Sequence, residues 1–268
     1  MKKYFACAVA MMLMGAMIAG CGGKKEEAKQ EAPKAAAKIV IGLDDNFAPM
    51  GFRDKDNKIV GLDIDLAREA CKRAGLNPEF KAIDWGAKEA EIKSKRIDAI
   101  WNCFTVNPER EKVYGLSKAY LNNAQMLVVL KGNTKIKSVA DLKGMAVGVQ
   151  DDSTGAHFFT RPENKELNAS LKKLNKYPDF PAAYMDLNNK RIDCIVADAV
   201  LAYDYAKKNE GKYEVLPKSV SDEIVAVAFR KDDKELIAKI DKALDEMKKD
   251  GTAKKICTQW LGADMIKY

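Results

Sequence analysis

The chain has 268 residues, with 46 Lys and Arg against 39 Asp and Glu, six Cys and one His. An apolar share of 47% beside 32% charged residues excludes a disordered or collagen-like chain, and six Cys at this length are too sparse for a disulfide scaffold. The net charge of +7 is spread without long blocks of one sign, which excludes a dedicated nucleic-acid surface, and a single His excludes His-rich metal sites.

Lys2 and Lys3 precede a run from Tyr4 to Ala19 that is apolar or small throughout, the pattern of a secretory signal. The run is marginal against the roughly 20 apolar residues of a membrane span. It leads into Ile18-Ala19-Gly20-Cys21, which resembles the bacterial lipobox. Residues 1–20 are therefore read as a signal peptide and Cys21 as the lipidation site. An ordinary signal, or an anchor with an incidental Cys, is the alternative. Residues 21–37 hold Gly, Ala, Lys and Glu with no large apolar side chain, so they are read as a flexible tether.

The body then alternates strands and helices. Residues 38–42 are β-rich, and 61–75 place Leu62, Leu66, Ala70 and Ala74 on one helical face, with Gly75 as a stop. Strand, helix and strand follow over 79–83, 87–96 and 97–101. Pro108 opens a short helix as its first residue, and 125–130 is an apolar strand. Beyond it come a helical turn at 140–143, a strand at 145–149, helices from 154 and over 181–188, a strand at 193–196 and a helix at 199–208. A strand at 224–230 and helices at 232–249 and 252–259 close the chain. Such alternation predicts α/β layers with mostly parallel sheet. Residues 95–100 (KRIDAI) and 190–195 (KRIDCI) are near copies, each leading from a helix into a strand, as two similar lobes would produce.

Several motifs carry a family resemblance in order along the body. They are Phe47-Ala48-Pro49, Gly61-Leu62-Asp63-Ile64-Asp65, the segment from Trp101 to Arg110 (WNCFTVNPER), Ser153-Thr154-Gly155, Arg191-Ile192-Asp193, Phe229-Arg230-Lys231 and Trp260-Leu261-Gly262. Together they resemble the periplasmic amino-acid-binding proteins of polar amino-acid ABC importers, the family 3 extracellular solute-binding proteins. The resemblance implies the type II periplasmic binding protein fold: two α/β lobes, each a mostly parallel sheet flanked by helices, joined by two hinge crossings. Lobe 1 is expected at 38–121 plus 224–268 and lobe 2 at 122–223, with hinges near 121–124 and 222–224.

The same resemblance implies a ligand site. Arg110 and the Thr105 hydroxyl would hold the amino-acid carboxylate from lobe 1, the Arg because its planar fork can grip bidentately. Thr154 and Ser153, at a helix N-terminus, would hold that carboxylate from lobe 2. Asp198 would pair with the ammonium; its alternative is to cap the following helix. Carbonyls near Asn102 and Cys103 would take the remaining ammonium hydrogens. Phe47 and Trp85 would sandwich the ligand side chain, with core packing as their alternative. Asp44, beside Asp45, Asn102 and Asp152, would meet its distal end, and that acidity favours a basic amino acid over glutamine, cystine or another polar one.

Cys71, Cys103, Cys194 and Cys257 are expected to be free thiols, and no CxxC spacing points to zinc. No catalytic residue, metal or cofactor is expected. The expected partners are an amino-acid ligand, the permease of an ABC importer and a membrane reached through the lipid. Nucleic acid is not among them, and the protein is expected to be a monomer, exported and facing the periplasm or cell exterior. Rival readings are a cyclohexadienyl or arogenate dehydratase-like enzyme on the same fold, and a stand-alone amino-acid sensor. His157 and Ser153 share one helix start with no recognised orienting acid, a poor nucleophilic triad.

Overall fold

The computed structural model describes residues 36–268. The segment read from sequence as a signal peptide, the expected lipidation site Cys21 and all but the end of the expected tether lie outside the described residues. The first half contains β1 (Ala37–Leu43), β2 (Asn46–Phe47), β3 (Gly51–Arg53), β4 (Ile59–Val60), α1 (Leu62–Arg73), β5 (Leu76–Ala82), α2 (Lys88–Lys93), β6 (Ala99–Thr105), α3 (Pro108–Val113), β7 (Tyr114–Leu116) and β8 (Leu121–Leu130). The second contains β9 (Ala146–Gln150), α4 (Thr154–Thr160), α5 (Lys165–Ser170), β10 (Lys173–Tyr177), α6 (Phe180–Asn188), β11 (Cys194–Asp198), α7 (Ala199–Lys208), β12 (Tyr213–Val215) and β13 (Ser221–Arg230), followed by α8 (Lys234–Lys249) and α9 (Thr252–Leu261). Ala37, assigned from sequence to the tether, is already in β1.

The main sheet runs β10-β9-β11-β8-β13-β6-β1-β5. Its two ends, β5-β1-β6 and β10-β9-β11, are parallel ladders. Between them, β8 and β13 pair antiparallel from Leu121↔Val225 to Gln125↔Ser221. Each strand then passes into one end: β13 onto β6 from Val225 onward, and β8 onto β11 from Gln125 onward. These two long strands thus join two α/β lobes. All seven residues of β6 are buried, as a parallel strand covered on both faces requires.

The repeated sequence is a repeated device. Lys95 and Lys190 both take positive φ, 60° and 56°, to end their helices. Asp98 then accepts from the Val40 N–H and Asp193 from the Ala146 N–H, at 2.9 and 2.7 Å. Two residues further along β1 and β9, Gly42 and Gly148 make room for Ile97 and Ile192; a Cβ on either glycine would lie 2.6 Å from the isoleucine Cδ1.

Local departures from the sequence reading have physical causes. The small sheet β2-β3-β4 was not expected, since strands of two or three residues show no periodicity. β10 (KLNKY) is an edge strand, half-exposed and carrying Lys at both exposed positions, which blunts the edge and conceals the strand. Gly61, at φ 139°, starts α1 with its Cα so close to the 50s turn that a Cβ would stand 2.2 Å from the Met50 carbonyl oxygen.

Candidate functional site

A narrow cavity lies where the two lobes meet, lined by Phe47, Trp85, Asn102, Cys103, Thr105, Arg110, Gln150, Ser153, Thr154 and Asp198. The C-terminal ends of β6, β9 and β11 supply Asn102–Thr105, Gln150 and Asp198, the usual place for ligands in parallel sheets. Nine of the eleven residues named from sequence line it.

Arg110 is 6% exposed. Asn107 caps α3 by accepting from the Arg110 N–H at 2.8 Å, and Pro108 fills the first turn. The guanidinium donates from Nη1 to the Thr105 carbonyl at 3.0 Å and lies 4.2 Å from the centre of the Phe104 ring. Burial pulls its pKa down, opposed by the charge of Glu223, so a buried cation faces the cavity. Thr154 begins α4, and its hydroxyl accepts from Gln125 Nε2 at 3.1 Å. Ser153 is the N-cap of α4, its Oγ accepting from the Ala156 N–H at 3.0 Å.

Opposite these lies an acidic wall. Asp198 is 6% exposed and accepts from Asn123 Nδ2 at 2.6 Å. It precedes α7 yet makes no side-chain cap bond, so the capping alternative fails. Burial first, then the nearby Glu223 charge, pushes its pKa up. Glu223 was missed by the sequence reading. Its Oε2 accepts from Thr105 Oγ1 at 2.9 Å, Gln125 Nε2 at 3.1 Å and Asn123 Nδ2 at 3.2 Å. The signal was present in the Asn122–Gln125 run (NNAQ), which opens an otherwise apolar strand. The bond to Glu223 bears on Thr105: its only hydroxyl hydrogen goes to Glu223, so the oxygen can only accept from the cavity. A carboxylate contact through that hydroxyl, as expected from sequence, does not fit this arrangement.

Cys103 sits at φ 49°, held by Asp63. The Asp63 carboxylate accepts from the Cys103 N–H at 2.7 Å and from the Tyr120 hydroxyl at 2.6 Å. Burial pushes the Asp63 pKa up to about 7, against those two hydrogen bonds.

Asp44 and Asp152 stand outside the cavity wall. Asp44 is buried, accepting from Gln150 Nε2 at 2.7 Å and the Asn46 N–H at 2.9 Å. Burial raises its pKa to about 6. It opens instead on a neighbouring pocket with Asp45, Asp84 and Asp179, and Trp85 is shared by both spaces. Asp152 is paired with Lys88 and His157, and Asp45 with Arg53. Two of the three acids expected near the ligand side chain are therefore already neutralised. Phe47 packs edge-on against Phe180 across the lobes, centres 5.7 Å apart. All four Cys of the body are buried free thiols.

The family model for bacterial extracellular solute-binding proteins, family 3, matches residues 39–263. The chain belongs to this family. It is a solute-binding protein and not an enzyme. The L-cystine-binding protein TcyJ of Escherichia coli is 32% identical over 255 residues, covering 94% of each chain. The arginine-binding extracellular protein ArtP of Bacillus subtilis is 30% identical over 266 residues, 97% of this chain and 98% of the relative. Among solved structures, an ABC uptake transporter substrate-binding protein from Streptococcus pneumoniae with bound histidine superposes with a TM-score of 0.81 at 36% identity, over 86% of this chain and 95% of that one.

Proposed function

We propose that this protein captures an amino acid between its lobes by hinge closure and delivers it to the permease of an ABC importer. The observation that carries the reading is the opposed charge of the cavity: buried Arg110 on one wall, buried Asp198 with Glu223 behind it on the other. A zwitterionic head group fits that polarity. Arg110, with N–H groups at the start of α4, receives the carboxylate. Asp198, the Thr105 oxygen and the Cys103 carbonyl receive the ammonium. Phe47 and Trp85 flank the side chain.

We place the lobes at 38–121 plus 224–268 and at 122–223, with the hinge in the paired segments of β8 and β13. The relatives named for amino acids and for ABC uptake support the class of ligand and partner. The lipobox-like segment ending at Cys21 supports attachment to a membrane through lipid, on its outer face.

For the ligand, the acid pocket beside Trp85 supports a basic side chain reaching Asp44. A second reading rests on Asn102, whose buried Nδ2 has no partner among the described residues. A cationic end leaves that donor unpaired. A carboxamide, or the second head group of cystine, supplies an acceptor. Titration calorimetry with L-arginine, L-lysine, L-histidine, L-glutamine and L-cystine tests both. Tight binding of a basic amino acid supports the first reading; binding of cystine or glutamine alone supports the second. No heat with any amino acid refutes capture.

A further inference from the structure

Lys88 opens α2 on the β6 side of the cleft and is only 2% exposed. It does not line the cavity, so the capture described above leaves it unused. A buried ammonium needs acceptors for its three hydrogens. Nζ donates to the Trp85 carbonyl at 3.1 Å, to the Asp152 carbonyl at 3.1 Å and to the Asp152 carboxylate. It also stands 4.8 Å from the centre of the Trp85 ring. Two of the three acceptors thus belong to one residue across the cleft, in the turn between β9 and α4. Asp152 has φ 52°, a strained conformation for a residue other than glycine, in which its carbonyl and its carboxylate face the same ammonium. His157 Nε2 holds the other carboxylate oxygen at 2.8 Å.

We propose that Lys88 and Asp152 form a latch between the lobes that stabilises the closed state whichever amino acid is bound, setting residence time and not specificity. The proposal rests on the capture-by-closure reading. Opening removes two of the three Lys88 acceptors and returns both charges to water, so the contact belongs to the closed state alone. A contact of that kind favours closing in the free and in the liganded chain. Association begins from the open form, so the latch slows it only by the share of free chain that it holds closed; dissociation must break the latch and carries the larger effect.

Lys88→Met keeps the aliphatic stem over Trp85 and removes the charge. Asp152→Asn keeps a side chain that tolerates positive φ. The full chain and both variants are mixed in stopped flow with the tightest binder among L-cystine, L-arginine, L-histidine and L-glutamine. Each variant should raise Kd about tenfold to a hundredfold, the size of a charge-assisted hydrogen bond. The change should lie in the dissociation rate, with association within about twofold. The order of preference among the amino acids should stay as it is, and the double variant should be no weaker than the weaker single one. X-ray scattering of the ligand-free proteins should find both variants more extended than wild type. Wild-type Kd and dissociation rates in both variants, additive losses in the double variant, or a changed order of preference would each overturn the latch. A wild-type chain that binds none of these amino acids would instead overturn the capture reading beneath it.

Discussion

Arg110 shows how much chemistry one side chain concentrates. Its guanidinium is buried against Phe104, and its one side-chain hydrogen bond among the described residues goes to a carbonyl. A carboxylate arriving there meets a desolvated, oriented cation, and such charge-assisted bonds are worth about 1.5–3 kcal/mol. Arg110→Ala should therefore weaken binding of the best amino acid roughly tenfold to a hundredfold or more by calorimetry, and Arg110→Lys should recover little, because an ammonium cannot reproduce the planar fork. Asp63 gives a pH signature. Its folded pKa is raised to about 7, above the unfolded value of about 3.9, so between those values the folded chain holds a proton that the unfolded chain does not. The resulting contribution to stability is fully present below pH ~4 and is lost as pH rises through about 7. Urea unfolding of wild type minus Asp63→Asn should accordingly fall with pH across this window, by up to about 1.4 kcal/mol per unit. A difference that stays flat would mean that Asp63 is ionised throughout.

At the scale of elements, a short helix serves the site by aiming one residue. α3 has six residues, too few to persist alone, so the Asn107 cap and Pro108 decide where Arg110 points. Asn107→Ala should cost about 1 kcal/mol of stability, as lost N-caps do, and should raise Kd as well, since the turn that carries the guanidinium loosens. Melting and calorimetry on one preparation test the pair; a stability loss with unchanged affinity would separate the cap from the site. This helix was legible in the sequence because Asn107 and Pro108 are local signals. So were the long elements: α1 with its face of Leu62, Leu66 and Ala70, and β8 with its apolar run. Less legible was what depends on a neighbour. Glu223 and Asn123 look like solvated strand residues until β13 is laid beside β8, where they come opposite each other. Lys88 reads as one charge among many on a helix, and its partner Asp152, 64 residues away in sequence, comes to it only in the folded chain. The acids expected around the ligand side chain failed in the same way, because Asp45 and Asp152 have cationic partners that periodicity does not reveal.

For the whole molecule, the lobes meet through contacts of the chain itself: Lys88 with Asp152, Gln150 with Asp44, and Phe47 with Phe180. On the proposed reading, ligand adds a bridge between Arg110 and Asp198 to contacts that already exist, so binding would shift an equilibrium between open and closed forms. Stability then follows by linkage, since an unfolded chain has neither wall of the cavity. At a thousandfold excess over Kd, a ligand that binds only the folded chain contributes about 4.1 kcal/mol. For chains of roughly 150–250 residues, each kcal/mol moves Tm by about 2–4 °C, which gives a rise of roughly 8–16 °C. A scan of the full chain at that excess of its best amino acid should find a rise of this size, together with a smaller radius of gyration by X-ray scattering. Arg110→Ala at the same ligand concentration should lose most of the Tm rise while its ligand-free Tm stays close to wild type. A Tm rise without compaction would mean that the ligand binds a cavity already shut, and closure would then precede binding.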